Sequence, residues 1–259
     1  MAKYNKLAGK HILIIGGSKG IGRGAVEASL EAGARVTLVG SSTQSAASAI
    51  AEVKAAYPSA QITGLACDLS KDSVEQDLDA LFVAAKKAGG EIDHVVHTAA
   101  DPLLVMPVDA MSLDKIRQVA HMRLAVPALL GKVAARHLRK TNECSLTITT
   151  GGIADRPAPG WSIIAFMAAG LTGLTRNLAL DLAPLRVNAV EPGFVDTGLW
   201  EAMGLSAEDK AAQVELWSAK LPTGKAGQVA DVAEAYVYLM KDGNATGEVV
   251  KTRGGANLI

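Results

Sequence analysis

The run Ile12-Leu-Ile-Ile-Gly16-Gly17-Ser18-Lys19-Gly20-Ile21-Gly22 places four glycines between an apolar stretch and a helix-like one. A phosphate held at a helix N-terminus must lie against backbone N–H groups, and side chains in the turn would keep it away. Gly16, Gly17, Gly20 and Gly22 clear that space, so the turn reads as a dinucleotide-binding element. The next apolar run ends in Gly40-Ser41-Ser42-Thr43. An acidic residue there would hydrogen-bond a free ribose 2′-OH and repel a 2′-phosphate, whereas three hydroxyls can donate to a phosphate. NADP is therefore favoured over NAD. His97 and His121 are residues of the type that serves general acid–base chemistry near neutral pH. His97 ends a strand and reads as a hydrogen-bonded spacer, and His121, two residues before Arg123, points to a different helix face from it.

The elements that must position these residues follow from periodicity. Seven short runs rich in branched apolar residues read as buried strands: His11–Ile15, Arg35–Val39, Gln61–Leu65, His94–His97, Ser145–Thr149, Arg186–Val190 and Glu248–Lys251. Helix-like segments lie between them, among them Gly22–Ala32, Ala46–Tyr57, Ser73–Lys87, Leu113–Leu138 and Ile163–Ala183. The alternation predicts an α/β chain: a single-domain, doubly wound Rossmann-type fold whose seven-stranded parallel sheet carries helices on both faces. At 259 residues one domain is the expectation for positions 1–259. The segment 194–225 breaks the alternation after Glu191-Pro192-Gly193 and is expected to be a substrate lid.

Composition narrows the partners. Twenty-six basic and 26 acidic residues balance, with no run of one sign, so neither a nucleic-acid footprint nor an acidic-partner surface is indicated. A small-molecule substrate is expected. Cys67 and Cys144 match no metal-ligand spacing, so no metal site is expected and a reduced, cytoplasmic setting is. The N-terminus lacks an apolar signal core, and the longest apolar run, Ile163 to Leu171, is too short to span a bilayer. No membrane association is expected.

The pattern Gly16-x-x-x-Gly20-Ile21-Gly22 resembles the short-chain dehydrogenase/reductase family, and the likeness continues along nearly the whole chain. It extends through Cys67-Asp68-Leu69, His97-Thr98-Ala99-Ala100, the stretch from Arg186 to Thr197 (RVNAVEPGFVDT), Thr246-Gly247 and Gly254-Gly255. The resemblance implies a nucleotide site made by Gly16, Ser18, Lys19, Gly20, Ile21, Ser41 and Ser42, with Asp68 and Leu69 at the adenine. It adds Thr98, Ala99, Ala100, Pro192, Gly193, Val195 and Thr197. Lys19 stands where the family places a cation for NADP.

The family's four catalytic positions carry none of its usual residues. Counting back from Gly173-Leu174-Thr175-Arg176 puts the tyrosine position at Ile164 and the lysine position at Ala168; the serine position falls on Thr150 or Gly151, and the asparagine position on Arg123. Hydride addition to a ketone leaves an alkoxide that needs a nearby acid, which Ile164 cannot supply. An iminium carbon differs, because hydride addition neutralises the cation, and positioning can suffice.

Arg123, together with Arg156-Pro157-Ala158-Pro159-Gly160-Trp161, is similar to a fungal secondary-metabolism subgroup of the family. That subgroup includes indole-alkaloid reductases that reduce an iminium-type intermediate and also shape a Diels–Alder cyclisation. The resemblance implies a catalytic set of Arg123, Trp161 and Asp155. Arg123 would make a forked contact to a substrate carbonyl or carboxylate, or else tie its helix to a nearby carbonyl. Trp161 would stack on a flat substrate or plug the loop. In the subgroup an acidic residue stands three positions before the tryptophan; here that position is Ala158, and Asp155 replaces it only if its loop turns inward. Three readings follow: an NADPH-dependent reductase, an NADP-bound cyclase or isomerase, and a non-catalytic cofactor-binding paralogue. The apolar stretches Leu124–Leu130 and Ile163–Leu174 predict a homodimer or homotetramer.

Overall fold

A computed structural model describes residues 3–259. Seven parallel strands form one sheet: β1 (His11–Ile15), β2 (Arg35–Gly40), β3 (Ile62–Ala66), β4 (His94–His97), β5 (Ser145–Thr149), β6 (Arg186–Pro192) and β7 (Val249–Thr252). Their spatial order is β3-β2-β1-β4-β5-β6-β7. Strands buried on both faces need continuous apolar runs, and β1 and β6 are buried at every residue. The order reverses between β1 and β4, which pair with Ile12 opposite His94 and Ile15 opposite His97. Such a reversal opens a crevice beyond the carboxyl ends of the strands, where ligands bind in open α/β sheets.

The sheet separates two apolar layers. On one side pack α1 (Gly20–Glu31), α2 (Thr43–Ala56) and α9 (Val229–Lys241), with Val26, Val53, Val232 and Tyr236 buried together. On the other lie α3 (Val74–Gly89), α5 (Val126–His137) and α6 (Ser162–Asp181), contributing Leu78, Phe82, Leu130, Leu171 and Ala179. α9 is not among the helices named from the sequence. Short helices α7 (Leu199–Ala202) and α8 (Ala207–Lys220) fill 194–225.

The expected helix Leu113–Leu138 is divided. α4 (Leu113–Ala120) runs into a π-helical turn over His121–Ala125 before α5 resumes. Pro127, at the start of α5, has no N–H to give to the preceding turn, and the wider π-turn accommodates that loss. The expected helix Ile163–Ala183 forms as α6, shifted by one or two residues. All 20 of its residues are helical, which makes it long and apolar enough by length and composition to cross a membrane. In this fold its inner face, with Ile163, Met167, Leu171, Thr175 and Ala179, is packed as a core helix.

Candidate nucleotide and substrate site

Helix α1 begins with an open N-terminus. Lys19 is its N-cap in extended backbone, makes no side-chain cap bond, and no acidic residue occupies the first turn. The first-turn N–H groups and the positive end of the helix dipole are therefore left for an anion. Two glycines are required here for stated reasons. Gly16 has φ +88°, and a Cβ on it would fall 2.5 Å from the Ala99 nitrogen; a Cβ on Gly22 would collide with the Gly16 carbonyl oxygen. The Thr98 hydroxyl donates toward the Ile15 and Gly16 carbonyls, each at 3.2 Å, tying the β4 end to the turn. Gly20 (φ +56°) has nothing nearer its Cβ position than Thr197 at 3.8 Å, so Thr197 faces the turn across an open space.

Ser41 and Ser42 are exposed beyond β2. The Ser42 hydroxyl accepts from the Ser45 N–H at 3.1 Å, capping α2 while its own proton remains available. Lys19 is exposed, and among the described residues no carboxylate pairs with it. Asp68 accepts from the Ser70 hydroxyl (2.6 Å) and N–H (3.1 Å), and these bonds hold its carboxyl below the ordinary value. Leu69, beside it, is buried, and its carbonyl lies 2.9 Å from His121 Nε2. The residues present fit a nicotinamide dinucleotide: a clear turn and a free helix end.

The other half of the crevice is apolar where acid–base chemistry would be sought. Ile164 and Ala168 are buried on α6, Ile164 among Val119, Ile163 and Met167. The Thr150 hydroxyl donates to the Ala168 carbonyl at 2.8 Å, so it is engaged in joining the β5 end to α6. His97 is buried; desolvation pushes it down to about 4 and keeps it neutral at physiological pH, and its Nδ1 has no partner. The spacer reading of its ring is therefore corrected: the carbonyl of His97 is bonded, to the Thr149 hydroxyl at 2.8 Å, whereas the ring nitrogen is not.

Arg123 lies in the π-turn with its side chain turned to Asp101, the residue after Ala100. Nε stands 3.0 Å from Asp101 Oδ1, and Nη2 donates to the Asp101 carbonyl. Burial raises the Asp101 carboxyl and lowers the Arg123 guanidinium, each opposed by the other's charge. The side chain thus realises the bonded alternative to a free fork. Asp101 is a member of this site that sequence reasoning missed.

Trp161 is the N-cap residue of α6 and packs against the cluster of Val119, Ile163, Ile164 and Met167. Among the described residues its indole N–H has no partner. Asp155 does not turn toward this group. Its carboxylate takes Arg253 Nη2 at 2.7 Å and also Lys251, both from the β7 end, and these bonds hold it below the usual carboxylate range. The condition set for Asp155, a loop turned inward, is not met: its carboxylate is held by two cations at the β7 end. Arg253 also contacts buried Glu191, whose carboxyl burial raises.

A third group joins the β5–α6 loop to 194–225. Phe194 stacks on Trp200 (centroids 4.7 Å, 20°) and on Trp217 (5.6 Å, 16°), and Arg156 sits 5.7 Å from the Trp217 ring centre. Trp200 is pinned by its Nε1 donating to the Val195 carbonyl at 2.8 Å. Lys210 on α8 pairs with Asp196 and Glu201, each at 2.9 Å, closing the segment on itself.

Comparison with known proteins agrees with this architecture. A family model described as an SDR-like Rossmann domain matches residues 3–259. The short-chain dehydrogenase/reductase fsr5 of Gibberella fujikuroi is 39% identical over all of this chain and 98% of its own length. The short-chain dehydrogenase/reductase malC of Malbranchea aurantiaca is 38% identical over 96% of this chain and 95% of its own. The solved MalC Reductase/Diels-Alderase from Malbranchea aurantiaca superposes with a TM-score of 0.92 at 35% identity, covering 99% of each chain. The chain belongs to the short-chain dehydrogenase/reductase family, whose Rossmann fold binds a nicotinamide cofactor.

Proposed function

We propose that this protein is an NADPH-dependent reductase of fungal secondary metabolism acting on an iminium-type carbon. The observation that carries the reading is the pairing of an intact phosphate cradle with the buried apolar side chains Ile164 and Ala168 on α6. NADPH, when bound, supplies a hydride. Gly16 and Gly22 leave room for the backbone to meet the pyrophosphate, and Lys19, Ser41 and Ser42 meet the 2′-phosphate. The Arg123–Asp101 pair fixes the floor of the substrate space. Trp161 supplies a flat apolar wall, and 194–225 acts as a lid that excludes water. Neither Ile164 nor Ala168 can donate a proton, and an iminium acceptor needs none.

The likeness to MalC Reductase/Diels-Alderase supports a second reading, an NADP-bound cyclase. Ala158 and the ion-paired Asp155 leave that reading without the acidic residue of the subgroup, so reduction is preferred. We place the protein in the cytoplasm as a homodimer or homotetramer, a reading supported by Phe166 and Leu180, exposed on α6. The test is NADPH consumption with a panel of cyclic imines and ketones. Turnover of imines alone is expected; turnover of simple ketones with no imine activity refutes the proposal.

A further inference from the structure

Arg156 carries a charge that the fold does not answer. Its Nη1 is closed off from solvent without a hydrogen-bond partner, and among the described residues no carboxylate lies within 4.0 Å of it. The neighbouring acid, Asp155, is committed to Lys251 and Arg253. What Arg156 does have is the face of Trp217, the outer member of the aromatic stack that continues to Phe194 and Trp200. An aromatic face supplies part of the stabilisation a partly desolvated guanidinium needs, and leaves its planar N–H edge unsatisfied.

The side chain stands where the β5–α6 loop meets α8. Arg156 follows the short 3-10 turn Gly152–Ala154, where a Cβ on Gly152 would lie 3.3 Å from the Pro192 carbonyl oxygen, and Phe194 follows Pro192-Gly193. The guanidinium is thus held between the β5–α6 loop and α8, on the same loop that leads to Trp161. A half-buried guanidinium without a counter-ion carries a desolvation cost, and an anionic oxygen arriving at its exposed side offsets it with charge-assisted bonds.

We propose that Arg156 is the substrate-anchoring cation of this site and that its ligand carries a carboxylate, received edge-on against the Trp217 face. The inference deepens the reductase reading and rests on it for the location of the substrate space. It assigns the substrate a carboxylate in addition to the carbon that accepts hydride.

Calorimetric titration of the NADP+-loaded protein with indole-3-acetate and with its neutral isostere indole-3-acetamide tests it. The acid is expected to bind about tenfold more tightly than the amide, the worth of one hydrogen-bonded charge. Arg156→Gln should abolish that preference and Arg156→Lys should retain part of it, with NADP+ affinity unchanged in both. Equal affinity for the two probes, no saturable binding of the acid, or a preference that survives Arg156→Gln overturns the proposal. The wild-type comparison decides if the variants do not fold. Failure to load NADP+ would instead overturn the reductase reading, which keeps the two failures distinct.

Discussion

Removing the Lys19 side chain separates a structural lysine from a cofactor-selecting one. Lys19 is exposed at the N-cap of α1, makes no cap bond, and has no carboxylate partner among the described residues. Lys19→Ala therefore deletes no intramolecular contact, and the unfolding free energy should move by no more than about 0.5 kcal/mol. Toward a 2′-phosphate the loss is different. An ammonium and an oxyanion about 4 Å apart attract by roughly 1 kcal/mol in bulk water and roughly 4 kcal/mol near a protein surface. Screening at physiological salt reduces the upper figure, since Lys19 is exposed. A residual of about 1–2 kcal/mol corresponds to a roughly 5–30-fold weaker NADPH complex. NADH lacks the 2′-phosphate, so its affinity should not change. Fluorescence titration of both nucleotides at low and high salt reads all of this, and the salt dependence of NADPH binding should flatten in the variant. Equal losses for NADH and NADPH, or a wild-type preference for NADH, would refute the assignment of Lys19 and the serine pair.

Three further outcomes follow from the site and the core. Asp155→Asn should leave the pH dependence of turnover unchanged, because the carboxylate is bound to Lys251 and Arg253 and takes no part in proton transfer; loss of one limb of the pH–rate profile would restore it as an acid. Arg123→Met strands a half-buried Asp101 and should lower stability by about 1–3 kcal/mol in urea unfolding, whereas Arg123→Met with Asp101→Leu should recover much of that; equal stability of both would deny the pair. Burial pushes His94 down to about 3 and His97 down to about 4, so each is neutral when folded while the unfolded chain takes up protons below about 6.5. Folded pKa values below unfolded ones mean stability present above pH 6.5 and lost as pH falls toward 4. The loss is at most about 2 kcal/mol per histidine at pH 5, and urea midpoints at pH 7 and 5 measure it.

What could be read from the sequence divides along physical lines. The strands were legible because a two-faced parallel sheet forces unbroken branched apolar runs, and each of the seven falls within a residue or two of its expected range. The glycine turn was legible because its constraint is local: Gly16 and Gly22 are fixed by atoms of the turn itself and of the adjoining β4 end. The partners of the charged residues were not. Arg123 meets Asp101 22 residues earlier, through a π-turn that a regular helix would not place there, and Asp155 meets Lys251 and Arg253 from the far end of the chain. A carboxylate's role depends on which cation reaches it, and neither periodicity nor spacing encodes a contact across almost 100 positions. The contact of Arg156 with Trp217 escaped notice for the same reason; the placement of Trp200 and Trp217 on two short helices was the available signal.

The central claim is that hydride acceptance here needs no proton from the protein. The pH profile of kcat/KM for NADPH-dependent reduction of an N-methyl cyclic iminium salt, a permanent cation, tests it most directly. The profile should be flat between about pH 6 and 9, because no enzyme acid is consumed at the reacting centre. A tenfold fall per pH unit above an inflection in that range, matched by faster reduction of the corresponding ketone, would reveal a working proton donor and contradict the account.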